Sequence, residues 1–182
     1  MTHSGIALID PNKIFEEIHL ADGMRVADFG CGRTGHFIFL ASRAVGERGA
    51  VYAMDIIKDI LENIKSRSRS EGYRNIQTIW TDLEKIGAAP IPEETLDAGF
   101  FVNVMFMLQN KEQALKEAIR LLKKDAWLVV VDWSKKIGPL GPELSQMVKD
   151  EEIVSLAETV GLKLVDKPII GDYHFCLIFK KM

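Results

Sequence analysis

Short runs of β-branched, aromatic and other apolar residues alternate along this chain with longer segments whose apolar residues recur at helical spacing. Such an alternation is typical of a parallel sheet that is covered by helices on both faces. The pattern predicts seven strands, at 25–29, 50–55, 76–80, 96–103, 126–132, 162–167 and 174–180. The helical spacing predicts helices at 36–46, 57–71, 111–123 and 149–160.

The last two predicted strands are too close in sequence for a helix to connect them. Their short connection contains Pro168 and Gly171, so we expect an antiparallel pair joined by a tight turn. The prediction is therefore an α/β fold with one Rossmann-like, doubly wound sheet of seven strands. The sheet is mostly parallel and ends in an antiparallel C-terminal hairpin.

The composition favours one domain and limits its partners. A chain of 182 residues with 47% hydrophobic content can bury one sizeable core, so we predict a single domain over 1–182. Within it, 24–182 form the core, and 1–23 form an N-terminal segment and helix that can act as a lid. The formal net charge of −3 gives no overall basic field for nucleic acid.

The sequence shows no targeting or membrane signal. The first twenty residues lack a basic stretch followed by an apolar one, and no apolar run approaches the ~18 residues that a membrane span requires. We therefore expect a cytoplasmic protein. Cys31 and Cys176 are far apart, without a CxxC motif or a nearby histidine pair, so neither a disulfide framework nor a metal site is expected.

A glycine-rich turn follows the first predicted strand. Gly30, Gly32 and Gly35 form GxGxxG between a strand and a helix, a pattern that is found at dinucleotide sites but is weak by itself. Asp28 stands two residues before the first glycine. Its carboxylate would oppose a pyrophosphate, whereas it would suit a ligand that carries an ammonium group.

Two further acids follow the next two strands. Asp55 ends the second strand, where a carboxylate can bind the two hydroxyls of a ribose, and Asp82 follows the third. Each of these acids could instead cap the helix that follows it. Taken together, acids at three consecutive strand ends favour one cofactor that carries both adenosine and an amino group.

Five ordered motifs resemble those of class I S-adenosylmethionine-dependent methyltransferases. They are "VADFGCGRTGHF", "VYAMDI", "TDLEKIG", "LDAGFFVNVMFM" and "AIRLLKKDAWLVVVDW". The nearest group is that of the small methyltransferases similar to those of ubiquinone and menaquinone biosynthesis, and the resemblance covers roughly 10–180. It implies S-adenosylmethionine as the cofactor and S-adenosylhomocysteine as the product.

The resemblance also implies roles for individual residues. Asp28 would position the amino end of the cofactor, Asp55 would bind its ribose, and Asn103 would face the reaction centre. The remaining residues that it places around the cofactor are Gly30, Cys31, Gly32 and Gly35 along the methionine end, and Ile56, Asp82 and Leu83 around the adenine. The chain departs from the usual motif at Arg33 and Thr34: either the turn is one residue longer, or Thr34 replaces a glycine.

Methyl transfer from a sulfonium depends chiefly on positioning, so no obligatory catalytic side chain is implied. If the acceptor must lose a proton, Asp132 and His174 are the candidate bases at this edge of the sheet. Trp133 either forms part of an apolar acceptor wall or belongs to the core. His36 either caps the glycine turn, which is the interpretation we favour, or faces the cofactor.

The leading hypothesis is an S-adenosylmethionine-dependent methyltransferase with a small-molecule acceptor. A protein or RNA acceptor stays open, as does a homodimer in which a second subunit completes the acceptor site. Two other classes are an NAD-dependent oxidoreductase, which GxGxxG supports, and a catalytically silent module that binds the cofactor.

Overall fold

The computed structural model describes residues 8–182. The helices are α1 (Pro11–Glu17), α2 (His36–Val45), α3 (Lys58–Ser70), α4 (Lys111–Leu121) and α5 (Asp150–Thr159). The strands are β1 (Arg25–Phe29), β2 (Ala50–Asp55), β3 (Ile76–Trp80), β4 (Leu96–Val102), β5 (Leu122–Trp133), β6 (Leu162–Asp166) and β7 (His174–Lys181). Two short 3₁₀ helices follow β4 and β5, at Met105–Met107 and Leu144–Gln146.

The seven strands form one sheet in the order β3-β2-β1-β4-β5-β7-β6. Neighbouring strands from β3 to β5 are parallel, whereas β7 runs antiparallel to both β5 and β6. This arrangement confirms the predicted mostly parallel sheet with an antiparallel end. The order reverses between β1 and β4, so the connections diverge there and open a crevice at the carboxyl ends of the strands.

The two faces of the sheet carry separate cores. Helices α1, α2 and α3 cover one face, and α4 and α5 cover the other. On the first face, the rings of Phe15, Phe37 and Phe100 contact one another, with centroids 5.6–5.9 Å apart. This cluster joins α1 and α2 to β4, so α1 is part of the packed core. Of the predicted lid segment 1–23, residues 1–7 lie outside the described part of the chain.

Strand β5 begins earlier than its apolar pattern indicates. Helix α4 ends at Leu121 and the strand starts at the next residue, whereas the sequence predicts a helix to 123 and a strand from 126. The pairing with β4 shifts register between Leu96 and Ala98, and Asp125 has a φ of 61°. The irregular turn within β5 therefore interrupts the apolar pattern and hides the true start of the strand.

The helices among residues 8–182 are short, with 13 residues in the longest, α3. Within that part of the chain, no helix combines the length and the apolar character that a membrane crossing needs.

Candidate functional site

A cavity of about 750 Å³ opens at the carboxyl ends of the first five strands. Such a volume lies in the usual range for small-molecule sites. All but one of the residues that the sequence predicts around a cofactor line this cavity: Asp28, Gly30, Cys31, Gly32, Asp55, Ile56, Asp82, Leu83 and Asn103. The fold therefore brings together side chains that are far apart in sequence.

The glycine turn reverses the chain between β1 and α2. The amides of Gly30 and Cys31 both donate to the carbonyl of Met54, at 2.9 Å, which ties the turn to the end of β2. A Cβ atom on Gly30 would lie 2.6 Å from Val104 Cγ2, whereas one on Gly32 would meet nothing within 4 Å. Gly30 thus permits close packing, and Gly32 leaves open space beside the cavity.

Gly35 is the predicted cofactor residue that does not line the cavity. A Cβ atom there would lie 2.4 Å from Ile64 Cδ1 and 3.0 Å from Phe39 Cε2. The space beside Gly35 is filled by α2 and α3, so its close contacts are with these helices. Arg67 donates to the carbonyl of Thr34 at 3.2 Å and thereby holds the Arg33–Thr34 segment before Gly35 against α3.

Asp28 and Asp55 bring two buried carboxyl groups to the centre of the site. Asp28 is only 4% exposed, and its Oδ1 has no hydrogen-bond partner among residues 8–182. Burial, and then the charge of Asp55, raise the Asp28 pKa to about 8. Asp55 accepts hydrogen bonds from the amides of Gly32, at 3.2 Å, and Ile57, at 2.9 Å. These bonds fix the Asp55 carboxylate at the end of β2.

The thiol of Cys31 lies beside these acids. Burial raises its pKa far above the ordinary value, and the charges of Asp28 and Asp55 raise it further. The group therefore stays a neutral thiol at physiological pH, which is the opposite of what a cysteine nucleophile needs.

The end of β3 supplies a more open part of the wall. Asp82 accepts a hydrogen bond from the amide of Glu84 at 3.1 Å and lies 3.0 Å from the ammonium of Lys85. The hydrogen bond from Lys85 is the largest cause of its lowered pKa. Leu83 is buried, whereas Ile56, which also lines the cavity, is 58% exposed. An acid and two apolar side chains thus stand together at this end.

Several buried polar atoms of the wall lack partners. Neither amide atom of Asn103 makes a hydrogen bond within the described residues, and the same holds for Thr81 Oγ1. Asn103 also has a φ of 56°, an uncommon backbone conformation for a residue other than glycine. Since buried polar groups are nearly always paired, unpaired ones beside a cavity fit a polar ligand. Sequence reasoning missed Thr81, although it directly precedes Asp82.

The wall changes character towards β5. The segments that follow β4 and β5 supply mostly apolar side chains there: Phe106, Met107, Leu108, Trp133, Pro142 and Gln146. The start of α2 adds His36 and Phe37 to the wall. Adjacent strands are ~4.8 Å apart, so the carboxyl ends from β3 to β5 span roughly 19 Å. The acids therefore lie at one end of an elongated site and the aromatic and aliphatic side chains at the other.

Asp132 does not line the cavity, which departs from the prediction that it faces an acceptor. It is fully buried at the end of β5, where it accepts hydrogen bonds from the amides of Phe106, at 3.2 Å, and Trp133, at 2.8 Å. Burial raises its pKa to about 6. Successive strand residues point to opposite faces, and it is the neighbouring Trp133 that lines the cavity.

His174 likewise lies outside the cavity, and it lines a separate recess of about 370 Å³ near Lys135 and Lys167. Its side chain is 6% exposed, and neither ring nitrogen has a partner within 8–182. Burial lowers its pKa to about 4, so the ring is neutral. The structure therefore places both predicted bases behind the wall instead of in it.

His36, which we favoured as a cap of the glycine turn, lines the cavity. The N-cap residue of α2 is Gly35, which has no side chain that could cap the helix. The sequence also leaves undecided whether Trp133 belongs to the acceptor wall or to the core. Its side chain is 2% exposed and belongs to both.

The chain is similar in sequence to known methyltransferases. A family described as "Methyltransferase domain" matches residues 20–165. The chain is 32% identical over 119 residues to the ubiquinone/menaquinone biosynthesis C-methyltransferase UbiE of Vibrio vulnificus. The aligned region covers 63% of this chain and 43% of that protein. The chain thus spans less than half the length of this curated relative.

Solved structures share the whole fold. A SAM-dependent methyltransferase from Aquifex aeolicus superposes with a TM-score of 0.88 and 27% identity, covering 99% of this chain and 94% of the other. A cyclase, SpnF, gives a TM-score of 0.78 at 13% identity, covering 94% and 79%. The second likeness shows that the fold also occurs in a protein named for a different reaction.

Proposed function

Since the chain belongs to the class I S-adenosylmethionine-dependent methyltransferases, we propose that it methylates an uncharged, apolar ring compound of the quinol class. S-adenosylmethionine, the cofactor of this family, supplies a methyl group that its sulfonium already activates. The protein then has to bind both molecules, align them and exclude water.

The observation that carries this proposal is the division of the cavity wall. Three acids, Asp28, Asp55 and Asp82, stand at the ends of β1, β2 and β3. Phe106 and Trp133 stand beyond β4 and at the end of β5. A cofactor that carries an ammonium group and a ribose fits the acidic end, and an apolar acceptor fits the other.

We assign the cofactor-binding roles from the contacts of each acid. Asp28 has an oxygen without a hydrogen-bond partner in the described part of the chain, and it would bind the cofactor ammonium. Asp55 has two oxygens that each accept one backbone hydrogen bond, and a carboxylate has about four lone-pair sites, so capacity is left for the ribose hydroxyls. Asp82, Leu83 and Ile56 would border the adenine.

The remaining cofactor residues border the methionine end in this proposal. Gly30, Cys31 and Gly32 bring the backbone to the cavity. Asn103 would offer its amide near the reaction centre, since that amide has no partner among residues 8–182. Gly35 would act through the packing of α2 on α3 instead of through contact with the cofactor.

The acceptor class rests on two supports. The wall beyond β4 and β5 presents the rings of Phe106 and Trp133, and aromatic rings pack well against a flat apolar molecule. The relative from Vibrio vulnificus is named for methylation at carbon in ubiquinone and menaquinone biosynthesis. A peptide or RNA acceptor is the alternative, and it would have to present an uncharged apolar group to this wall.

Calorimetry tests the cofactor half of the proposal. S-adenosylmethionine and S-adenosylhomocysteine should bind, and Asp55→Ala should weaken both by at least about tenfold because it removes a charge-assisted contact. Asp59→Ala, an exposed acid four residues along, is the matched control and should bind as the wild type does. Binding of NADH with no binding of the sulfonium pair would contradict the proposal.

Methyl transfer tests the acceptor half. Radiolabelled S-adenosylmethionine is incubated with naphthalene-1,4-diol under reducing conditions, and in parallel with peptide and RNA mixtures. Label in the naphthalene ring supports the proposed class. Label only in peptide or RNA would replace the acceptor class, and cofactor binding without any transfer would favour a catalytically silent module.

A further inference from the structure

His36 is the histidine that the structure places in the wall of the cavity. Among residues 8–182, the other two histidines are His19, which is exposed after α1, and His174, which lies behind the wall. A neutral imidazole is the side chain best suited to take up a proton near neutral pH.

The position of His36 follows from its neighbours. It is the first residue of α2, directly after the turn at Gly35, whose φ is 55°. The next residue, Phe37, is 2% exposed and packs against Phe15 and Phe100. This anchor fixes the start of the helix, so the His36 ring, half-buried at the rim of the core, is held beside the cavity.

The electrostatic surroundings keep the His36 ring unprotonated. Burial is the largest effect on its pKa and lowers it, while a backbone hydrogen bond with Ile9 and the charge of Asp10 offset part of that decrease.

The other titratable groups of the wall are less suited to this task. In the proposed complex Asp28 is paired with the cofactor ammonium, and burial keeps the Cys31 thiol protonated by raising its pKa far above the ordinary value. The Asp55 carboxylate accepts two backbone hydrogen bonds, and Asp82 is paired with Lys85. Glu84 accepts a hydrogen bond from the amide of Asn110.

We propose that His36 is the general base that removes the proton of the acceptor during methyl transfer, an assignment that rests on the proposed function. The acceptor nucleophile forms a bond to the methyl carbon as the bond from that carbon to sulfur breaks, and the sulfur keeps the electron pair. The acceptor proton passes to His36, and the imidazolium then releases it to water. These steps conserve charge and require no further reactant.

Proton titrations followed by NMR test the location of His36 without any acceptor. The sulfonium of S-adenosylmethionine is positive, and the sulfur of S-adenosylhomocysteine is neutral. If His36 faces the methyl group, its pKa should be lower in the complex with S-adenosylmethionine than with S-adenosylhomocysteine, by about one to two pKa units. His19 and His174 serve as internal controls. Equal His36 pKa values in the two complexes would overturn the proposal.

Kinetics with naphthalene-1,4-diol test the role in catalysis. His36→Gln should lower kcat by about 100-fold or more. The fall of kcat at acidic pH should also disappear, because the variant has no imidazole whose protonation could remove the base. Its affinity for S-adenosylhomocysteine should stay within about twofold of the wild type, which also reports correct folding. His19→Gln is the matched control. An unchanged kcat in His36→Gln would refute the assignment.

The two experiments separate this inference from the proposed function. If the wild type does not methylate the naphthalenediol, the proposed acceptor class fails, and the NMR comparison still decides whether His36 lies beside the sulfonium. If the wild type is active and the NMR comparison shows no difference, the His36 assignment fails while the proposed function stands.

Discussion

The imidazole of His174 stacks against the indole of Trp133, with the ring centroids 4.3 Å apart and the ring planes at 39°. The pair results from strand register, since the two residues lie directly opposite each other on β7 and β5. The backbone of Gly141 also packs on the indole, where a Cβ atom would lie 3.0 Å from its ring atoms. Trp133 is thus held in the cavity wall by both neighbours.

This stack predicts that the ring of His174, and not its nitrogens, matters for activity. His174→Phe should keep kcat for naphthalene-1,4-diol within about twofold, because an aromatic ring stays against Trp133. His174→Ala should raise KM by roughly two- to tenfold, as the loss of one aromatic pair implies. Steady-state kinetics of both variants provide the measurement. A 100-fold loss in His174→Phe would instead support His174 as a base.

The same histidine predicts a pH effect on stability. Its folded-state pKa of about 4 lies below the value near 6.5 of an unfolded chain, so between these values the unfolded state binds more protons. The free energy of unfolding should therefore fall as the pH decreases from 6.5 to 4. In His174→Phe, urea unfolding at a series of pH values should show a shallower fall, and an unchanged slope would contradict this interpretation.

The raised pKa of Asp28 predicts that cofactor binding releases a proton. With a pKa of about 8, the free protein holds a proton on Asp28 at pH 7, whereas a bound ammonium group favours the carboxylate. Binding should therefore release close to one proton, and affinity should rise by up to about tenfold between pH 6 and 7. Calorimetry in two buffers of different ionisation enthalpy measures the release.

The control for this prediction is Asp28→Asn, which cannot titrate. It should bind more weakly than the wild type at pH 7, and the proton release should disappear. An equal proton release in the variant would mean that the proton comes from another group.

The close packing of the helices around Gly35 predicts that a larger residue there lowers stability. In Gly35→Ala, the new methyl group would collide with Ile64 and Phe39, and the positive φ adds backbone strain. We expect a loss of about 2–4 kcal/mol in the free energy of unfolding, from overpacking and the left-handed conformation together. Gly72→Ala has a φ of 79° but open space around it, so it should lose only the part due to strain. Urea unfolding of both variants would show equal losses if packing at Gly35 were unimportant.

Substitution of Glu117 should lower stability more than substitution of Gly35 does. This fully buried carboxylate accepts hydrogen bonds from the amides of Gly87 and Ala89 and two from Arg120. Burial alone would raise its pKa, but the hydrogen bonds, led by those from Arg120, outweigh burial and lower it. Its stabilising contribution is therefore present above the unfolded pKa of 4.5 and is lost as the pH falls through the lower folded value.

Glu117→Gln should reduce the free energy of unfolding by about 3–5 kcal/mol at pH 7, because it leaves Arg120 without its partner. Glu112→Gln is the control, since it breaks an exposed ion pair with Lys116 that should be worth less than about 1 kcal/mol. Chemical denaturation measures both variants. Similar losses in the two would show that burial does not strengthen the Glu117 pair.

Most of the architecture could be predicted from local patterns. Apolar runs and glycine positions located every strand, and the short segment around Pro168 and Gly171 indicated the antiparallel end. The start of β5 was misplaced because the irregular turn at Asp125 interrupts the apolar run. That β7 lies between β5 and β6 depends on pairing between distant segments, which no local pattern records.

The sequence by itself determined where the acids of the site stand, because Asp28, Asp55 and Asp82 each lie within two residues of the end of a recognisable strand. Only the tertiary structure decided which side chains face the cavity at β5. From Leu128 to Trp133 every residue of this strand is buried, so no alternation of polar and apolar residues shows which face each one takes. For that reason the sequence placed Asp132 wrongly and left Trp133 undecided between the wall and the core, and packing between distant segments assigned His36 to the wall and His174 to its support.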